Sequence, residues 1–441
     1  MTTRRFLLCS TPAQGHIAPL LPIARRLVDD GHEVVLFTTE HYREKVVGTG
    51  ARFVPFAPAY DAHDLMVANP DREGASTRGI GGLKNDLRHI FIEPMSGQLA
   101  GISDILRGFA ADVVIFDSMF LGALGLGLRR HTASPGLVSI GVTPLALTSR
   151  DAAPFGLGLQ PGSGAAYRAR NAALNWTTQH IVLRDIGRLV RRRLVDFGAP
   201  PLPGYFVDYF VDLPPKLVDA YLQTTVVGFE YPRRDLPTSV RFVGPILPPA
   251  PEEYDRPRWW DELQSARPVV HVTQGTLDNA DLGRLLLPTI SALAADDVLV
   301  VATTGGPDPD PLRQSLPPNV RLERFIPHAL LLPHTDVMVT NGGYGGVQQA
   351  LAYGVPLVVA GDSEDKPEVA ARVRWSGAGI DLRTGRPTPE KLAAAVRRVL
   401  TQPRFRTHAR SLQSEIRVSP ALDTITDVVV TLAAGRQVGR H

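Results

Sequence analysis

The segment from Asp336 to Lys366 limits the folds open to this chain more than any other stretch. It reads DVMVTNGGYGGVQQALAYGVPLVVAGDSEDK. A β-rich apolar run, Val337–Thr340, meets Gly342, Gly343, Gly345 and Gly346. A helical stretch, Val347–Tyr353, follows and Gly354 stops it. A second apolar run, Val355–Ala360, opens onto a polar loop with Asp362, Glu364, Asp365 and Lys366. The order is strand, glycine loop, helix, strand. Glycines in such a loop let backbone N–H groups approach an anion with no Cβ in the way, and the helix start adds the positive end of its dipole. The stretch therefore predicts a phosphate or diphosphate site. Its spacing is neither G-x-G-x-x-G nor a Walker loop, because no Lys and Ser/Thr follow Gly346. The plainer alternative is a tight turn packed under a sheet, against which stand four glycines in five positions.

A chain of 441 residues predicts two domains, and 44% hydrophobic with 21% charged residues predicts ordinary globular cores. The net charge of +3 is scattered. The dense Arg188–Arg193 patch has helical periodicity and reads as a solvated helix face, not a nucleic-acid surface. Cys9 is the only cysteine, which excludes an intrachain disulfide and a cysteine zinc site and fits a cytoplasmic setting. MTTRRFLLCS imitates a signal peptide, but its apolar run is short and Gln14 and His16 follow, so a first strand is expected. The apolar run Met119–Leu128 falls short of a membrane span.

In the first half, Arg5–Ser10 reads as a strand and Leu20, Ile23, Ala24, Leu27 and Val28 as one helix face. Glu33–Thr38 reads as the next strand. This βαβ unit predicts a parallel sheet. Arg52–Pro55, Ala111–Phe116, Gly136–Val142, Tyr221–Val227 and Val240–Val243 are further expected strands. Helix is expected over Ile90–Phe109 and Ala172–Phe197. His16 and Asp117 each fall just past a strand end, where open α/β sheets bind ligands. A carboxylate holding an imidazole suits base catalysis. Singly, His16 could be a loop histidine and Asp117 an N-cap for the segment at Met119.

GPILPPAPEEYDRP, residues 244–257, lacks periodicity and reads as a linker. The expected domains are 1–243 and 258–415, each an α/β, Rossmann-like layer facing the other across a cleft. A tail over 416–441 is expected to return as a helix to the first domain. Beyond the linker, Val269–Thr273 runs into a second glycine turn with Gly275 and Thr276. Strands are expected at Val298–Thr303 and Val320–Phe325, and a helix over Leu282–Leu293 with a kink at Pro288. The DPDP loop imitates an acidic metal pair but sits in a proline-rich turn; no metal is expected. Thr388 caps a helix with Pro389 at its first position.

From FLLCSTPAQGHIAPLLPIARRLVDDGHEV to the helix at Thr388–Leu400, and most specifically over Phe325–Lys366, the chain resembles family 1 glycosyltransferases of the GT-B fold. These are nucleotide-sugar-dependent enzymes that modify small lipophilic acceptors, and they include bacterial macrolide and plant flavonoid glycosyltransferases. The resemblance implies that His16 deprotonates the acceptor hydroxyl and that Asp117 supports it. Gly275 and Thr276 would contact the diphosphate, Phe325 would stack on the base and Ile326 would hold its edge through its backbone. Gly343, Tyr344, Gly345 and Gly346 would form the diphosphate turn, and Asp365 would bind sugar hydroxyls. Three positions depart from the family: Asn341 replaces a diphosphate-contacting His, Gln349 a ribose-binding Glu, and Lys366 the Gln of an Asp-Gln pair. His328 also stands where Gln is common. An Asn amide can donate a hydrogen bond but carries no charge.

The expected reaction is inverting transfer of a hexose to a lipophilic hydroxyl, with UDP-glucose as co-substrate and no cofactor. A dTDP-deoxysugar donor, a nucleotide-sugar 2-epimerase and a silent sugar-nucleotide-binding protein are the alternatives. The irregular stretches near Tyr60–Gly82 and Pro144–Gly164 are expected acceptor walls, with Phe91 and Phe155 as contacts. A monomer or homodimer, with no nucleic-acid partner, completes the expectation.

Overall fold

A computed structural model describes residues 2–61, 79–131, 134–198, 212–276 and 279–437. Most of the expected acceptor wall at Tyr60–Gly82 lies outside them.

The near-continuous apolar runs form two sheets. The first holds β1 (Arg5–Cys9), β2 (Glu33–Thr38), β3 (Arg52–Pro55), β4 (Val113–Asp117), β5 (Gly136–Gly141), β6 (Ala220–Gln223) and β7 (Val240–Phe242). Their order is β3-β2-β1-β4-β5-β6-β7. The second holds β8 (Val269–Thr273), β9 (Leu299–Thr303), β10 (Val320–Glu323), β11 (Val337–Thr340), β12 (Leu357–Val359) and β13 (Gly379–Asp381), in the order β10-β9-β8-β11-β12-β13. Every pairing is parallel. β1, β4 and β8 are buried along nearly their whole length, as strands covered on both faces must be. Strand order reverses between β1 and β4 and again between β8 and β11, so each lobe has one switch-point crevice at its carboxyl edge.

Several local expectations change. The strand expected over Tyr221–Val227 stops at Gln223, because Val226 and Phe229 leave the first sheet and pack into the core of the second lobe with Met338, Val347 and Leu351. The helix expected over Ile90–Phe109 is split: a π turn, Leu87–Ile92, precedes Pro94, and the α-helix runs over Met95–Gly108. The break in Leu282–Leu293 falls at Leu285 and not at Pro288. Gln274 Oε1 accepts the N–H groups of Leu285 and Leu286 there, at 3.1 and 2.9 Å, and Pro288 sits in the first turn, where no N–H is needed.

The helix Ala421–Gln437 returns to the first lobe. Ile425, Val429 and Ala433 enter the core beneath β1, β4 and β5, and Asp423 pairs with Arg26 at 2.7 Å. By length and composition, 403–435 could cross a membrane. It is instead two helices broken after Arg417, each with a buried apolar face.

Candidate active site at the two switch points

Because β1 and β4 are neighbours, the residues that follow them meet. His16 lies in the first turn of the helix Gln14–Asp29, and Asp117 ends β4. His16 Nδ1 stands 2.8 Å from Asp117 Oδ1. An ionised carboxylate only accepts, so Nδ1 carries the hydrogen and Nε2 keeps its lone pair for an incoming proton. Asp117 is fully buried and held by the Thr11 N–H at 2.6 Å, the Thr11 hydroxyl at 3.1 Å and the Met119 N–H at 2.9 Å. Asp117 is not a helix cap: the next helical turn, Leu121–Ala123, has Phe120 at its cap, and the Met119 N–H only closes a local turn onto the carboxylate. Thr11 was missed from the sequence; its place in the loop before GHIAP was the available signal.

Burial opposes the charged form of His16, but the Asp117 charge and hydrogen bond outweigh it, and Asp365 and Glu364 add to them. The imidazole pKa ends above its ordinary value. Asp365 and Glu364 belong to the second lobe, so that lobe's polar loop lies close enough to His16 to act on its charge. Asp365 is itself pushed up to about 6, chiefly by burial, with Lys366 opposing the rise. The Phe91 ring, brought in by the π turn, lies 6.5 Å from the His16 ring. Phe155 is half-buried in the Pro144–Gly164 stretch.

In the second lobe, Gly343 precedes the helix Tyr344–Ala352. A Cβ built on Gly345 meets nothing within 4 Å, and on Gly343 and Gly346 its nearest neighbours lie at 4.0 and 3.8 Å. The fold therefore does not require glycine at these three positions. Gly342 differs: its φ is +92° and a Cβ would stand 2.8 Å from Val359. Tyr344 turns inward, its hydroxyl 3.2 Å from Gln223 Nε2 of the first lobe, which leaves the turn its backbone N–H. Asn341 is buried and donates its amide to the Gln274 carbonyl, tying the two glycine turns together. Gly275 lies on that second turn with φ +73°, and Thr276 is exposed. Phe325 exposes 61% of its surface while Ile326 is buried. Lys366 is buried and reaches Ser363 and Glu364.

His328 and Gln349 are joined to a residue that sequence reasoning missed. His271, the one polar side chain in the middle of buried β8, faces the Val301 carbonyl through Nδ1 at 2.9 Å and His328 Nε2 through Nε2 at 3.4 Å. The carbonyl fixes the proton on Nδ1, so His328 must donate to His271. Burial and the neighbouring His328 push His271 down to about 3. Burial also lowers His328, against a hydrogen bond that it shares with the Gln349 side chain. Both rings are neutral at pH 7, and a neutral Gln349 suits them.

A family model described as the erythromycin biosynthesis protein CIII-like C-terminal domain matches residues 286–432. The 4'-demethylrebeccamycin synthase of Lentzea aerocolonigenes is 46% identical over 429 residues, covering 96% of this chain and 98% of that protein. UDP-glycosyltransferase 2 of Phaeomoniella chlamydospora is 34% identical, covering 97% and 95%. This chain is a GT-B glycosyltransferase. Among solved structures, the kitacinnamycin glycosyltransferase has the same fold, with a TM-score of 0.74 at 23% identity over 98% of this chain and all of its own. The glycosyltransferase keeps DPDP for surface pairing: Asp310 pairs with Arg313 and Asp308 with Arg324.

Proposed function

We propose that this glycosyltransferase moves glucose from UDP-glucose, with inversion, to a hydroxyl of a small lipophilic acceptor such as a macrolide, polyketide or flavonoid. His16 is the base. Its Nε2 takes the acceptor proton as the oxygen bonds to the anomeric carbon. The bond from that carbon to the diphosphate breaks, and its electron pair leaves with UDP. The N–H groups of Tyr344, Gly345 and Gly346, which have no partner earlier in their helix, and the dipole behind them stabilise the departing charge. Asp365 receives sugar hydroxyls, Gln349 the ribose, and Phe325 the uracil face. Phe91, beside His16, contacts the acceptor.

The observation that carries this reading is the His16–Asp117 pair, with Nε2 free, close enough to Asp365 of the second lobe to feel its charge, together with that lobe's glycine turn, whose glycines the fold does not need. The likeness to a UDP-glycosyltransferase of Phaeomoniella chlamydospora supports a UDP donor. The test is UDP release from UDP-glucose with and without a panel of alcohols, with the product's anomeric coupling read by NMR. Acceptor-dependent release giving a β-glucoside is expected. Release indifferent to acceptor, an α-glucoside, or turnover only with dTDP-sugars would overturn it.

A further inference from the structure

The helix Lys366–Trp375 follows Asp365 at its cap and carries three buried charged side chains, Lys366, Glu368 and Arg372. Glu368 belongs to the second lobe, yet its Oε1 accepts two backbone N–H groups of the first: Gly156 at 2.9 Å and Gly158 at 2.8 Å. Its Oε2 binds Arg372 at 2.9 Å. Gln160 adds a bond from its side chain to the Ala371 carbonyl at 3.2 Å. The close fit needs glycine. Gly156 and Gly158 have φ of +98° and +58°, and a Cβ on Gly158 would lie 3.0 Å from the Pro367 carbonyl.

The sequence of this loop is Phe-Gly-Leu-Gly-Leu over 155–159. Its glycines supply the grip, and its apolar side chains are spared from it. Leu157 and Leu159 stay 47% and 37% exposed. The loop docks within two residues of Asp365, which faces His16. A carboxylate only 4% exposed that accepts two amides from one loop fixes that loop's height over the helix.

We propose that Glu368 is a positioning residue for the acceptor. By holding the Gly156 and Gly158 amides it sets the Phe155–Leu159 wall against the helix that bears the donor-side carboxylate, so the donor lobe fixes where a lipophilic acceptor lies. This rests on the transferase reading above.

Two conservative variants separate the grip from the charge. Glu368→Asp keeps the charge but withdraws the oxygens by one methylene. Glu368→Gln drops the charge and turns an NH2 toward Arg372, which keeps Glu230 at 3.0 Å, but retains an oxygen that can accept both amides. Acceptor KM, UDP affinity and the slow cleavage of UDP-glucose by water are measured for each. The expected result is a rise of about tenfold or more in acceptor KM for Glu368→Asp, with UDP affinity and cleavage by water unchanged. Glu368→Gln should stay within about threefold of the parent. Unchanged KM in Glu368→Asp overturns the proposal, and so does equal loss of acceptor and UDP binding, or the larger defect in Glu368→Gln. Hydrogen exchange at Gly156 and Gly158 gives a second reading: faster in the Asp variant and not in the Gln variant, with the reverse order again overturning it. If the parent protein itself shows no acceptor-dependent UDP release, the transferase reading fails, and that result is distinct from all of these.

Discussion

The chemistry rests on one ring nitrogen. His16 Nδ1 is committed to Asp117 at 2.8 Å, which frees Nε2 and keeps the imidazole turned toward the cleft. His16→Ala should lower turnover with an aliphatic alcohol by about 10²–10⁴, the usual worth of a general base. An unchanged rate in a steady-state assay would remove His16 from the mechanism. The pH profile supplies a finer check. A base must be neutral to act, so kcat/KM rises with pH through the His16 pKa, and that limb should lie above the ordinary imidazole value. Asp365 helps to hold the pKa up from across the cleft. Asp365→Asn removes a negative charge facing the imidazolium, so its acidic limb should move to lower pH. A limb that stays put would mean that the two residues do not face each other in solution. The same linkage touches stability. The His16–Asp117 attraction is complete below the unfolded imidazole pKa and fades as pH rises through the raised folded one.

Among the elements, the helix Tyr344–Ala352 and its glycine turn are the most informative. Glycine within a helix costs roughly 0.5–1 kcal/mol relative to alanine, and Gly345 has open space where a Cβ would go. Gly345→Ala should therefore leave the melting temperature unchanged or raised. It should weaken UDP binding on the order of tenfold by filling the approach to the amides. Calorimetric titration with UDP beside a thermal melt measures both, and lost stability with intact UDP affinity would contradict the reading. The glycine spacing itself was legible in the sequence. What was not legible was which glycines serve the backbone. Gly342 has positive φ and packs against Val359, whereas its neighbours Gly343 and Gly345 have room, and only coordinates separate those cases. Tyr344 likewise read as part of the turn, but its hydroxyl is spent on Gln223 of the other lobe.

Across the whole molecule, the lobes are joined by a buried cluster with two charges of each sign. Arg372 reaches Glu230 at 3.0 Å, Glu368 at 2.9 Å and the Leu145 carbonyl at 3.1 Å, and stacks over Tyr231 at 4.3 Å. Arg233 shares Glu230 at 3.4 Å. All four charged side chains are at most 5% exposed. Breaking such a set strands the opposite charge. Arg372→Met should cost about 3–5 kcal/mol, read by urea denaturation, and should loosen the lobes from each other. A variant as stable as the parent would show the cluster to be electrostatically idle.

Local patterning determined most of the elements. The apolar runs became strands, the GHIAP segment, helical from Gln14, and the glycine turn fell just past strand ends, and Thr388 capped its helix through the Lys391 N–H. These are short-range matters of period, turn chemistry and backbone freedom, and they stay within a few residues of the sequence that causes them. Strand order, by contrast, is long-range. The placement of β1 beside β4 carries His16 to Asp117 across 101 positions, and that of β8 beside β11 ties Gln274 to Asn341 across 67. The Glu368 grip on Gly156 spans 212 positions. No periodicity encodes such contacts, because they depend on which buried surfaces fit one another once both sheets exist.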